Sequence, residues 1–537
     1  MSTEVQKHQD YYRYCPGEER FKISDAVCLG RRRSNFPKCK GCQFNDDEKK
    51  KAAGALTLPG ADRKAVETEK LKRERITAAF GADEVRGTWP EPLDEELAWR
   101  VGQAAATFLR SELRGYERSR SEKSAVVVGR DMRKSSPPLA AALIEGLRAG
   151  GSPVIDIGMV DTPQLYYAVQ HLTCCGGVQV TGGHQSAAYN GFKICGEKGK
   201  PVSTDTGLGK ICKAAVNTVK HAGSQMAGLE QRDLSGPYKA FVRSFLTSSS
   251  AGYGPERPMK VVVDASNGMG GRWIPILFGD VDWLEITRLN FEHNGTFAHD
   301  PDPAEEANLA QLRERMRRTR AAFGACFDGD ADRVVFVDHE GQIVPADLLT
   351  ALLAGAFLKK AAGASIVYDL RCSRVVPEEI RKAGGIPRRE RAGHAFLQKT
   401  MMDAKAAFGG DVYGHYYFRD NGWCDSGLIA FAQVMNLLIE TGQPLAELVA
   451  PLRRYARSGE RCIPSDHREA AIQRLAAAHA GAELDSLDGL TVQYPDWWFN
   501  VRAAPGESVL RLRAEARDEV LLAEKLRELE AVLGTAC

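Results

Sequence analysis

At 537 residues the chain is long enough for three to five domains with well-buried cores, which excludes a peptide-sized binder. Its 72 lysines and arginines nearly balance 70 acidic residues, so no global field points to nucleic acid or an anionic membrane as partner. No apolar run approaches the roughly 20 residues that span a bilayer, and the opening MSTEVQKHQDYYRYC lacks a leader-like apolar stretch, so the expected location is cytoplasmic.

Residues 1–44 are polar, aromatic and cysteine-bearing. Cys15, Cys28, Cys39 and Cys42 are spaced C-x12-C-x10-C-x2-C, a set suited to tetrahedral zinc or to an iron–sulfur cluster. So short a segment has little apolar core, and a metal would supply the folding energy that burial does not. Arg31, Arg32, Arg33, Lys38 and Lys40 form a basic patch there, suited to an acidic or phosphate-rich protein partner. The other nine of the thirteen cysteines lie mostly in apolar runs, as reduced core thiols do. Residues 45–77, rich in charge and punctuated by Gly and Pro at the start, are expected to be a linker.

From about residue 78 to 460, β-branched runs alternate with helical periodicity: SAVVVGRD before SSPPLAAALIEGLRAG, MKVVVDASNG before GGRWIPILFG, ASIVYDLRCS before RVVPEEIRKAGG. Such alternation predicts α/β domains with largely parallel sheets and ligands at the carboxyl ends of the strands. The final 75 or so residues, with LTVQYPDWWFNVRAA, SVLRLRAEAR and a closing helical run, predict a smaller α+β domain.

Two stretches carry the chemistry. In VQVTGGHQSAAYNGFKI, Val178 to Ile194, a strand runs into a small-residue turn whose backbone suits an anion, with His184 and Lys193 as cationic walls but no nucleophile beside the histidine. In FDGDADRVVFVD, Asp328, Asp330 and Asp332 stand at alternate positions of one tight turn. Three carboxylates that close repel one another unless a cation sits among them, and hard oxygen ligands favour Mg²⁺. Arg333 follows with a fork suited to phosphate.

DGDADR resembles the metal loop of the α-D-phosphohexomutases, the phosphomannomutase and phosphoglucomutase family. The resemblance continues in VVVGRDMRKSSPPLA, IDIGMVDTPQLYYAV, VVVDASNGMGG, LNFEHNGTFAHDPDP, IVYDLRCSRVVPE, GGDVYGHYYFRDNGWCDSGLIA and YPDWWFNVR, over roughly residues 80–515. It implies three α/β domains with mixed sheets plus a smaller α+β domain around one cleft, here with limits 78–235, 236–345, 346–460 and 461–537, preceded by the cysteine module. It further implies transfer of a phosphoryl group between C1 and C6 of a hexose, through a phosphoserine and a bisphosphorylated sugar.

Four segments depart from the family pattern. Thr-Gly-Gly-His-Gln-Ser stands for Thr-Ala-Ser-His-Asn-Pro, which puts Gly183 at the phosphoserine position. RAAPGES stands for Arg-Ser-Ser-Asn-Thr-Glu-Pro, which keeps Arg502 but loses the hydroxyl and amide donors of the phosphate loop. Gly-Asp-Val-Tyr-Gly-His stands for Gly-Glu-Met-Ser-Gly-His, so Asp411, Tyr413 and His415 are the sugar-reading residues. FGADEVRG keeps Arg86 but has Asp83 where the family has tyrosine. Arg371 and His394 match substrate-facing basic positions. A glycine holds no phosphoryl group, so the expected function is a hexose-phosphate or partner-binding member with weak or ligand-dependent Mg²⁺ and impaired turnover. Two alternatives stay open: an active mutase that uses Ser186 or Thr181 as acceptor, and a scaffold acting through the cysteine module.

Overall fold

The computed structural model describes residues 12–15, 18–24, 28, 63–220, 225–247, 252–504 and 508–534. The chain divides into two compact units, Met1–Arg73 and Glu74–Cys537. In the first, strands Tyr12–Cys15 and Glu18–Ser24 form an antiparallel hairpin. Cys28 is buried and not in a disulfide, while Cys39 and Cys42 lie outside the described residues and only the backbone of Cys15 is described.

The expected linker is shortened by a helix, Arg63–Ala78. Its sequence, RKAVETEKLKRERITA, consists almost wholly of good helix formers and lies beyond the last Gly and Pro of the segment. Ile76 and Ala79 then anchor the chain in the core.

Four sheets of the second unit are seen among the described residues. The six-stranded sheet runs in the order Val85–Thr88, Tyr189–Gly196, Gly176–Val180, Val126–Arg130, Val154–Met159, Leu229–Gln231. Its central strands are parallel and read as continuous buried runs, because helices such as Glu95–Glu112 and Thr162–His171 cover both faces. The second sheet centres on Met259–Asp264 and Phe323–Phe327, and the third on Ser365–Asp369 and Phe408–Gly410. The otherwise parallel order is closed by two antiparallel pairs in the first and second sheets and by one in the third.

The fourth sheet is wholly antiparallel, Ala456–Pro464, Val509–Ala516, Trp497–Ala503, Leu490–Gln493, Glu483–Asp485. Its first strand crosses the expected limit at 460, because ARSGERCIP has no β-branched run and is extended only by pairing with Val509–Ala516. Helix Ser235–Arg243 likewise crosses the limit expected at 235.

One apolar core runs continuously through the first three sheets, whereas the fourth keeps its own around Phe499, Leu475 and Leu526. Polar contacts join it to the rest: Arg457 donates to both oxygens of Asp347 at 2.7 and 2.8 Å, and the backbone N–H of Arg374 donates to Glu515 at 3.0 Å.

Candidate active site

Each sheet contributes one loop, and each loop joins an antiparallel strand pair: Thr181–Ala188 after Gly176–Val180, the aspartate turn after Phe323–Phe327, Asp411–His415 after Phe408–Gly410, and the turn after Trp497–Ala503. The centre of that last turn, residues 505–507, lies outside the described residues.

The first loop is wrapped around one buried guanidinium. Arg133 donates to the carbonyls of Ser186 (2.5 Å), Tyr189 (3.0 Å), Gly183 (2.8 Å) and Gln185 (2.6 Å), and its Nε donates to Asp131 (3.1 Å). Gly183 is held at φ +52°, and a Cβ built on it would lie 3.3 Å from both terminal nitrogens of Arg86 and 3.6 Å from Asp330 Oδ1. A side chain here would point into the aspartate turn, and glycine leaves that direction empty of any nucleophile. The aspartate turn is packed just as closely, since a Cβ on Gly329 would stand 2.3 Å from the Gly183 carbonyl.

Two hydroxyls stand in the same loop. Thr181 is fully buried; its Oγ1 donates to Asp131 at 2.8 Å and accepts the Gly183 N–H at 2.9 Å. The Ser186 carbonyl accepts from Arg133, and Ser186 is not among the residues that line the cleft.

Asp328, Asp330 and Asp332 are buried with one oxygen each lying within 4.8 Å of the others. Asp328 Oδ2, Asp330 Oδ1 and Asp332 Oδ1 are buried without a hydrogen-bond partner, one orphan acceptor per carboxylate. Buried acceptors of this kind are costly unless a cation completes them, and the all-oxygen set fits Mg²⁺. Lys193 neutralises the outer oxygens, donating to Asp330 Oδ2 at 2.8 Å and also to Asp332 Oδ2. Burial and the other two carboxylates drive Asp328 well above the usual carboxylate range. Burial and Asp332 push Asp330 the same way, but Lys193 outweighs them and holds it low.

A cleft of about 570 Å³ opens in front of these loops and is lined from all four sheets. Arg86, His184 and Lys193 come from the first, Arg333 from the second, Arg371, His394, Asp411, Tyr413 and His415 from the third, and Arg502 from the fourth. Asp411 Oδ2 accepts from His415 Nδ1 at 2.7 Å, and His415 is raised despite its burial because the Asp411 carboxylate outweighs desolvation. His184 is pushed well below its ordinary value by burial and then by Arg333, Arg86 and Lys193, which makes it a neutral imidazole in a cationic wall. Burial lowers His394 too, partly offset by Asp83 3.6 Å away. Tyr413 does not stand free in the cleft: its hydroxyl donates to Glu460 at 2.9 Å, and the Arg371 guanidinium covers its ring at 4.4 Å. Asp488, which also lines the cleft, falls in no motif and is brought here only by the sheet packing, whereas Arg391 lies three residues before His394 in the same short stretch, RAGHAF.

Family models for phosphoglucomutase/phosphomannomutase α/β/α domains I, II and III match residues 77–220, 239–341 and 345–455. The chain belongs to the phosphoglucomutase/phosphomannomutase family. It is 35% identical over 461 residues to a protein named for phosphohexose mutases from Xanthomonas campestris, covering 85% of this chain and 99% of that one. A phosphomannomutase of Salmonella montevideo is 33% identical over 472 residues, covering 85% and 99%. The crystal structure of a phosphoglucomutase/phosphomannomutase family protein from Burkholderia thailandensis superimposes with a TM-score of 0.75 at 31% identity, over 86% of this chain and 99% of that one. The four-domain phosphohexomutase fold expected from the motifs is therefore the fold of this chain, its fourth domain a β-rich one. No described helix is long and apolar enough to cross a membrane.

Proposed function

We propose that this chain binds a hexose phosphate in the four-sheet cleft together with Mg²⁺ and supports little or no mutase turnover. The observation that carries the reading is Gly183: its Cβ direction faces Asp330 and Arg86, and the Thr181 hydroxyl is engaged by Asp131 instead. Removing a covalent nucleophile costs on the order of 10⁶ in rate. Bound Mg²⁺ would be held by Asp328, Asp330 and Asp332 and would supply a Lewis acid for phosphate oxygens. Arg86, Lys193 and Arg333 form the cationic wall against which a phosphate is oriented. His415, bonded to Asp411, and His394 face the sugar.

Calorimetry with mannose and glucose phosphates, with and without Mg²⁺, tests the reading alongside a coupled mutase assay. Metal-dependent binding with turnover near background is the expected pair of results. Asp330→Asn should abolish the rise in melting temperature produced by Mg²⁺. Robust turnover with phosphate mapped to the 181–186 loop would overturn the proposal, as would a failure to bind any hexose phosphate. The C-x12-C-x10-C-x2-C spacing supports a second, separate proposal, one zinc ion held by Cys15, Cys28, Cys39 and Cys42 and lost on mutating any of them; elemental analysis decides it. A cytoplasmic setting, which keeps such thiols reduced, belongs to the same proposal.

A further inference from the structure

The aspartate turn is gripped from three domains. The carbonyl of Gly329 accepts the Met269 N–H at 2.9 Å, that of Asp330 the Thr162 N–H at 3.1 Å, and that of Ala331 the Gly427 N–H at 3.2 Å. Each donor stands at the amino end of a helix: Met269 precedes Gly270–Phe278, Thr162 opens Thr162–His171 and Gly427 opens Gly427–Thr441. Three positive helix ends thus meet a turn of three buried carboxylates. Of the three residues, Thr162 also reaches a carboxylate, its hydroxyl donating to Asp330 Oδ2 at 2.5 Å.

The oxygens divide in the same way at all three aspartates. Asp328 Oδ1 accepts the Arg333 N–H at 3.2 Å, Asp330 Oδ2 accepts from Thr162 and, at 2.8 Å, from Lys193, and Asp332 Oδ2 accepts from Lys193. The other oxygen of each is buried without a donor. One free oxygen per carboxylate suits a small octahedral cation, whereas the larger Ca²⁺ takes more oxygens and often both of one carboxylate. Thr162 is itself firmly held: it is fully buried, and its helix is capped by Asp161, whose Oδ1 accepts the Gln164 N–H at 2.6 Å and the Tyr238 hydroxyl at 3.2 Å.

We propose that Thr162 is a positioning residue for the metal: by occupying Asp330 Oδ2 from the first domain it leaves Oδ1 for the cation, and so sets both the affinity of the turn for Mg²⁺ and its preference over Ca²⁺. The inference deepens the proposed function and rests on its Mg²⁺ site, not on its sugar.

The test is calorimetry on the full chain stripped with EDTA, with Mg²⁺ and Ca²⁺ titrated separately, alone and beside glucose 1-phosphate. Thr162→Val, which keeps the side-chain shape and loses the hydroxyl, should weaken Mg²⁺ about ten- to a hundredfold and Ca²⁺ by less; Thr162→Ser should restore most of the loss. Thr162→Ala reads the same loss if the valine variant does not fold. A residue that only supported the fold would lower the melting temperature in EDTA and leave the ratio of Mg²⁺ to Ca²⁺ affinity unchanged, and that result would overturn the inference. Equal Mg²⁺ affinity in the unmodified chain and Thr162→Val, or a serine variant as weak as the valine one, would overturn it too. Thr162-dependent Mg²⁺ binding without hexose-phosphate binding would leave the inference standing and remove the proposed function. Mg²⁺-dependent hexose-phosphate binding indifferent to Thr162 would do the reverse, and no Mg²⁺ binding in either setting would overturn both.

Discussion

At Gly183 a φ of +52° lies in the left-handed region, where an L-residue carries roughly 1 to 2 kcal/mol of steric cost. A serine at this place bears that strain in exchange for a phosphoryl carrier, and a glycine keeps the loop shape without the strain or the chemistry. Glu460 shows how one side chain couples stability to pH. Burial pushes its carboxyl up, but Arg371, Arg511 and Arg502 outweigh burial and bring it down to about 2 from the ordinary 4.5. A depressed carboxyl contributes stability that is complete above the unfolded value and is lost as pH falls toward the folded one. The contribution therefore fades between pH 4.5 and about 2. Urea melts of the unmodified chain and Glu460→Gln should differ most at neutral pH, and the difference should shrink through that window.

The loops behave as elements because their strands and one buried cation hold them. Thr181–Ala188 is neither helix nor strand and is closed by single turn bonds such as Gln185 N–H to the Gly182 carbonyl, and four of the carbonyls at and beside its turn accept from Arg133. Breaking a buried pair such as Arg133 and Asp131 typically costs about 3 to 5 kcal/mol. Arg133→Met should lower stability by that order and speed amide exchange across residues 181–189. Arg133→Lys, with the charge but not the planar fork, should restore only part of either. The motif residues of this element were legible as a loop from strand, glycines and turn. Its organisation around Arg133 was not, since the arginine lies some fifty positions earlier and nothing local ties it to the loop. Helix Arg63–Ala78 and strand Ala456–Pro464 differ from the expected boundaries for related reasons: the first was masked by a charged composition that resembles a linker, the second has no apolar pattern to announce it.

Over the whole molecule, every residue lining the cleft belongs to the unit Glu74–Cys537. A chain beginning at Arg63, which keeps the helix that carries Ile76 into the core, should bind Mg²⁺ and hexose phosphate as the full chain does; weaker binding by calorimetry would give the amino-terminal segment a part in the site. The sequence by itself determined the family and marked Asp328, Asp330 and Asp332, Gly183 and most of the basic residues that line the cleft, because each is carried by a short motif whose residue types and spacing are local. Tertiary structure alone decided that Lys193 reaches Asp330 and Asp332, that Thr181 is consumed by Asp131, and that Glu460 gathers Tyr413, Arg502, Arg511 and Arg371. Such contacts join residues from different strands and sheets. Charge and hydrogen bonding act through space at a few ångströms, and only the packing of the sheets sets which groups come that near.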